Sequence, residues 1–234
     1  MKLLSRTLLA LLLSTTALRA DILVKTGEKL AFLGDSITEG GWGNPKGYVR
    51  LVLSGLAANG VTAEPIPAGV SGHKSNDMLG RLDRDVLSKK PQWMTLSCGV
   101  NDVWHGANGV PLDKYKENIS QIIEKCAAAG VKPVILTATV IQEKLDNAEN
   151  QKLAPYNDFL RQLAKDKNLP LADLNAMFQE RIKAENKPDQ KILTADGVHM
   201  NDEGNKLMAR GVLKALGLDE AQLAKADAAW AAAK

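Results

Sequence analysis

The chain has 234 residues and a mass of 25.2 kDa, with 45% apolar and 24% charged residues. That balance fits one globular domain and excludes an intrinsically disordered chain or a multi-span membrane protein. The formal charge of +3 comes from Lys2, Arg6 and Arg19, which precede the first acidic residue, Asp21; from Asp21 onward 27 basic residues face 27 acidic ones. A neutral body without a basic run excludes nucleic acid as a partner.

Residues 1–20 have a basic start (Lys2, Arg6), an apolar stretch at 8–13, and a polar, small-residue exit through Ser14, Thr15, Thr16 and Ala17 to Ala20. This is the layout of a secretory signal peptide. The apolar stretch is far shorter than the roughly 20 residues a permanent membrane helix requires. We expect cleavage after Ala20, with Ala17 as the alternative, export to the periplasm or the medium, and one mature domain at 21–234 without stable membrane insertion.

The body alternates short apolar runs with longer helical patterns. Strands are expected at 29–33, 61–65, 93–98, 134–140 and 170–172, with a turn at 68–72. Helices are expected at 47–58, 77–87, 112–128, 150–166, 174–184 and 202–216. Residues 219–234 read as an Ala-rich packing helix or a frayed tail. This alternation implies an α/β fold with a doubly wound parallel sheet, a three-layer α/β/α sandwich. Cys98 closes a strand and Cys126 lies more than a dozen residues down the next helix. That separates them by roughly 20 Å, against a disulfide limit near 7 Å, so both are expected as buried free thiols.

In open α/β sheets, sites form at the carboxyl ends of the strands. Four polar, Gly-rich blocks fall there or just before the last long helix: 34–39 (Gly-Asp-Ser-Ile-Thr-Glu), 69–72 (Gly-Val-Ser-Gly), 99–102 (Gly-Val-Asn-Asp) and 196–199 (Asp-Gly-Val-His). Ser36 offers a hydroxyl at a strand end. Asp196, three residues before His199, has a spacing that lets its carboxylate reach Nδ1 and leaves Nε2 to deprotonate Ser36. The N–H groups of Ser36 and Gly72 and the Asn101 amide supply three donors for an oxyanion. Each block alone reads as an ordinary turn or cap; their joint occurrence carries the inference. Thr38 stands where a nucleophile elbow would need its second glycine, which argues against an α/β-hydrolase.

In these blocks, in this order, the sequence resembles the SGNH (GDSL-like) hydrolases, and the resemblance spans about residues 29–216. It implies a flavodoxin-like sandwich and a serine esterase. Ser36 would be the nucleophile, His199 the base and Asp196 its partner, with Ser36, Gly72 and Asn101 lining the oxyanion hole. It also implies chemistry without a metal or cofactor. His73 departs from the pattern, since many members carry Asp after the second-block glycine.

Trp42 and Trp104 lie just after the first and third blocks, where an indole face makes a platform for a sugar ring or plugs its loop onto the body. His73 and His105 sit beside the same blocks, and Trp93, inside a strand, reads as core. Loops between the blocks are short and polar, without the apolar lid a lipase needs. These features favour a short-chain (acetyl) esterase acting on O-acetylated saccharides, with a small-molecule or oligosaccharide ester as the partner. The alternatives are a lysophospholipase, thioesterase or arylesterase, or a secreted glycan-binding module without turnover.

Overall fold

Five strands form one parallel sheet in the order β2-β1-β3-β4-β5. The computed structural model describes residues 21–187 and 190–233; the signal peptide expected at 1–20 lies outside them. In chain order the elements are β1 (Lys29–Gly34), α1 (Ser36–Gly43), α2 (Tyr48–Ala58), β2 (Glu64–Gly69) and α3 (Ser75–Asp85). Next come β3 (Trp93–Ser97), α4 (Val100–Trp104), α5 (Leu112–Ala128), β4 (Lys132–Leu136) and α6 (Ala148–Asp166). The chain closes with β5 (Leu171–Ala172), α7 (Leu174–Glu185), α8 (Asp202–Ala215) and α9 (Glu220–Ala232).

The middle strands are apolar almost throughout because helices cover both their faces. One layer groups α2 with α8 and α9; the other groups α3 with α5, and α5 with α6. The chain leaves β1 for β2 on one side and then winds to β3, β4 and β5 on the other. The strand order therefore reverses between β1 and β3, and the loops leaving these two strands border a crevice.

Helix α5 occupies the residues its periodicity predicts, burying Tyr115, Ile119, Ile122, Ile123 and Cys126 on one face. Helix α6 starts two residues early because the Asn147 side chain caps it, accepting from the Asn150 N–H at 2.7 Å. The expected tail is a packing helix: Asp219 and Gln222 cap α9 reciprocally, and Leu223, Ala226 and Trp230 are buried. Trp230 Nε1–H donates to the Leu51 carbonyl in α2 at 3.0 Å. Cys98 and Cys126 are buried free thiols.

Four expectations are corrected. The second strand runs from Glu64 to Gly69 and not over 61–65, so it takes up the start of the expected turn. Pro65 and Pro67 hide it in the sequence. Glu64 and Val70 donate their N–H groups to Glu28 and Gly34, so the even positions face β1 and both proline nitrogens point away from the sheet. The fourth strand covers 132–136 and not 134–140, because its continuation bonds to side chains: Ala138 N–H to Asn157 Oδ1 (2.8 Å) and Asn157 Nδ2 to Ala138 O (3.0 Å). Helix α3 spans 75–85, two residues earlier than expected, with a 3-10 turn at Leu87–Lys89. Helices α1 and α4 were not expected at all, being five to eight residues long and without apolar periodicity.

Candidate active site

Ser36 is the first residue of α1. Asp35 ends the turn from β1 and caps that helix, its carboxylate accepting from the Ile37 N–H at 2.9 Å. Strand, cap and helix fix the serine backbone on three sides, and the hydroxyl faces His199: Ser36 Oγ lies 2.9 Å from His199 Nε2. On the other side of the ring, His199 Nδ1 lies 2.6 Å from Asp196 Oδ2. A carboxylate only accepts, so Nδ1 carries the proton and Nε2 is free to accept from the serine hydroxyl. Asp196 Oδ1 also accepts the backbone N–H groups of Val198 (2.9 Å) and His199 (2.8 Å). Partial burial pushes its pKa up, but the His199 ring and those two N–H groups outweigh this and hold it at about 2. The turn closes through Ala195 N–H to His199 O (2.8 Å) and a bridge between Thr194 and Met200.

The second block enters from β2. Gly72 has φ +77, a left-handed conformation that side chains disfavour, while a Cβ built there would meet nothing within 4 Å. The glycine is needed for its backbone angle, and the space above it stays open. Among the described residues, the N–H groups of Ser36 and Gly72 donate to no protein acceptor. Asn101, buried in α4, donates one amide hydrogen to the His73 carbonyl at 3.1 Å and keeps the other. The structure thus brings Ser36, His199 and Asp196 into one hydrogen-bonded relay, and ties Asn101 to the turn that carries Gly72.

The sequence profile of the GDSL-like lipase/acylhydrolase family matches residues 32–207, from β1 into α8. The chain belongs to that family. Over 215 residues it is 26% identical to an acetylxylan esterase of Geobacillus stearothermophilus, covering 84% of this chain and 97% of the relative. It is also 26% identical to the isoamyl acetate-hydrolyzing esterase of Saccharomyces cerevisiae strain ATCC 204508 / S288c, covering 81% and 86%. Among solved structures, the acetyl xylan esterase AlAXEase superposes with a TM-score of 0.75 at 37% identity, over 80% of this chain and 98% of that one. This GDSL-family chain is therefore an SGNH-type ester hydrolase.

Several residues that support the site were not foreseen. Arg81, buried in α3, donates from Nε to His73 Nδ1 (2.9 Å), from Nη2 to the Gly34 carbonyl (2.8 Å) and from Nη1 to Asp85 (3.2 Å). It links the end of β1 to the Gly72 turn. The arginine also fixes the His73 ring as the Nε2–H tautomer, because Nδ1 must accept. Burial first, and then the Arg81 charge, push the His73 pKa down. An arginine three residues after Met78, on the buried stripe of an otherwise amphipathic helix, was the available sequence signal. Glu39 of α1 accepts both the Ser71 N–H (2.9 Å) and the Ser71 hydroxyl, holding the same turn from above.

Beneath the site lie two buried acids of the family blocks. Burial pushes the Asp35 pKa up to about 6, the nearby Asp102 charge adding to the rise. Asp102 is raised for the same reason, although it accepts the Ser75 N–H at 3.0 Å, and its neighbour Cys98 is raised further.

The tryptophans differ. Trp42 is half-buried on α1 with the Arg50 guanidinium 3.5 Å from its ring centroid, so one face of the indole is occupied. Trp104, at the end of α4, is 43% exposed and stands 6.1 Å from the exposed ring of His105. Trp93 is buried in β3. A cavity of about 110 Å³ opens beside the relay between Ser36, Ile37, Gly41, Asn44, His199 and Met200. No helix among the described residues is long and apolar enough to cross a membrane, and no cluster of three metal-binding side chains occurs among them.

Proposed function

We propose that the chain is an exported serine acetylesterase, with residues 1–20 removed as a signal peptide and 21–234 forming the single catalytic domain. The observation that carries this reading is the relay Ser36 Oγ to His199 Nε2 to Asp196, at 2.9 and 2.6 Å. Ser36 attacks the acetyl carbonyl and passes its proton to His199 Nε2, while ionised Asp196 stabilises the imidazolium. The oxyanion accepts from the N–H groups of Ser36 and Gly72 and from the Asn101 amide. His199 then protonates the departing alcohol, leaving an acetyl-serine that water hydrolyses by the same route.

A short acyl group suits the cavity beside Ser36, whose 110 Å³ is about three to four water volumes. The relatives named above act on acetylxylan and isoamyl acetate, which supports an acetyl ester as substrate. The alcohol we assign is a saccharide: Trp104 offers an exposed indole face and His73 an Nε2–H donor at the rim, while Trp42, packed between Arg50 and the core, supports its loop.

Ser36→Ala is expected to abolish turnover of p-nitrophenyl acetate and labelling by a fluorophosphonate while leaving the fold intact. Asn101→Ala is expected to lower kcat by about 10²–10³. Failure of the wild type to react with the probe would favour a glycan-binding module. A panel from acetate to decanoate, with acetylated xylan, pectin and sialic acid, tests the substrate. Preference for long chains would overturn the acetylesterase reading in favour of a lysophospholipase or thioesterase.

A further inference from the structure

Glu143 lies in the loop after β4, outside the four blocks, and its carboxylate is fully engaged. Oε1 accepts from the Leu193 N–H (2.9 Å), the Thr194 N–H (2.7 Å) and the Thr194 hydroxyl (2.7 Å). Oε2 accepts from the Ile192 N–H at 2.7 Å. Three successive backbone N–H groups turned toward one point make a concavity for an anion. Here the chain supplies that anion itself.

The gripped residues lead directly into the Asp196–His199 turn, whose closing bridge begins at Thr194. Gln142, one residue before Glu143, holds the tip of the same turn: its N–H donates to the Gly197 carbonyl at 2.7 Å. Both partners have left-handed backbones, Gln142 at φ +60 and Gly197 at φ +107. Such a conformation at a residue with a side chain persists only where its surroundings impose it. The imposing contacts come from the start of α6. Asn150 accepts from the Ile141 N–H (2.9 Å) and donates to the Ile141 carbonyl (2.9 Å), which also accepts from Asn147 (2.7 Å). A continuous chain of directional bonds thus runs from α6 through 141–143 to the turn bearing Asp196 and His199. The two side chains are themselves 54% and 41% exposed, so burial does little to hold them.

We propose that Glu143 is a positioning residue that sets the place of His199 against Ser36, an inference that rests on reading Ser36, His199 and Asp196 as the catalytic relay. Removing the carboxylate leaves the three N–H groups of 192–194 turned toward a vacated site that a free carboxylate of formate size fits.

The test compares Glu143→Ala and Glu143→Gln with wild type for kcat and KM on p-nitrophenyl acetate, with and without formate, alongside amide hydrogen exchange at 192–194. In Glu143→Ala, kcat is expected to fall about 10²-fold, the scale of an ångström-sized misplacement, with KM within about threefold of wild type. The three amides should exchange faster. Formate, but not chloride at the same ionic strength, should restore kcat with saturation in this variant and leave wild type unchanged. Glu143→Gln, which keeps one acceptor and turns a donor toward the N–H groups, should fall less and ignore formate. Wild-type kcat in a folded Glu143→Ala variant overturns the proposal, as does a loss that formate cannot restore with exchange at 192–194 unchanged. Should Glu143→Ala not fold, wild-type kcat in Glu143→Gln overturns it. An active Ser36→Ala variant would instead defeat the relay reading; an inactive one beside fully active Glu143 variants defeats only the role of Glu143.

Discussion

Asp35 serves two requirements that oppose each other. As the cap of α1 it must present an oxygen to the Ile37 N–H, yet its burial penalises the charged form and lifts its pKa to about 6. The folded state therefore binds a proton more tightly than the unfolded chain, whose Asp titrates near the ordinary carboxylate value. Stability from this group is fully present below about pH 4 and is lost as pH rises through about 6. Asparagine keeps the capping oxygen and has no charge to bury. Asp35→Asn is thus expected to exceed wild type by on the order of 2–3 kcal/mol at pH 8 and to gain nothing at pH 4, read by urea unfolding at each pH. A gain of equal size at both pH values would show that titration of Asp35 is not its source. Asp196 has the reverse sign. Its pKa, held at about 2, contributes stability above the ordinary carboxylate range, lost as pH falls toward 2. The two aspartates nearest the serine and the histidine thus respond to acid in opposite directions.

At the scale of elements, helix α9 shows how a weakly patterned segment becomes part of the core. It packs on α2 where Gly55 lets Leu213, Ala226 and Trp230 approach closely. Trp230→Ala is expected to cost about 3–5 kcal/mol, measured by chemical denaturation, since it removes a buried indole and leaves the Leu51 carbonyl without that donor. How legible an element was depended on where its bonds go. Helix α5 was readable to the residue because one face is apolar at helical spacing and everything it needs is local. The blocks holding Ser36, Gly72 and Asn101 could be placed at the sheet edge because polar, Gly-rich punctuation concentrates at strand ends, and the Asp196–His199 block because it precedes the start of α8. The structure brings Ser36, His199 and Asp196 within hydrogen-bonding distance. Helices α1 and α4 were not readable: the Asp35 cap and packing on β2 and α2 hold the first, packing on α6 holds the second, and neither has a periodicity of its own. Strand β2 was misplaced because prolines suit an edge and nothing in one sequence says which strand is the edge. Arg81 and Glu39 escaped for a related reason: their partners lie up to 47 residues away and are mostly backbone or ring atoms, so no motif records them.

The whole molecule is stabilised without covalent cross-links among its described residues. Both thiols are buried and free, and burial pushes the Cys98 thiol well up and the Cys126 thiol up to about 12. The native protein should therefore leave a thiol reagent such as DTNB unreacted and release two equivalents once denatured. Its melting temperature should ignore reductant; a drop on adding reductant would reveal a bridge after all. The sheet itself ends on both sides in ways that have a bearing on life at high concentration. On one side Pro65 and Pro67 turn nitrogens without hydrogens toward solvent; on the other, β5 is only two residues long. An incoming strand would find too few donors at the first border and too little length at the second, so neither can template a growing stack of chains. The protein can be crowded or partly loosened at its loops without its sheet becoming the seed of a fibril.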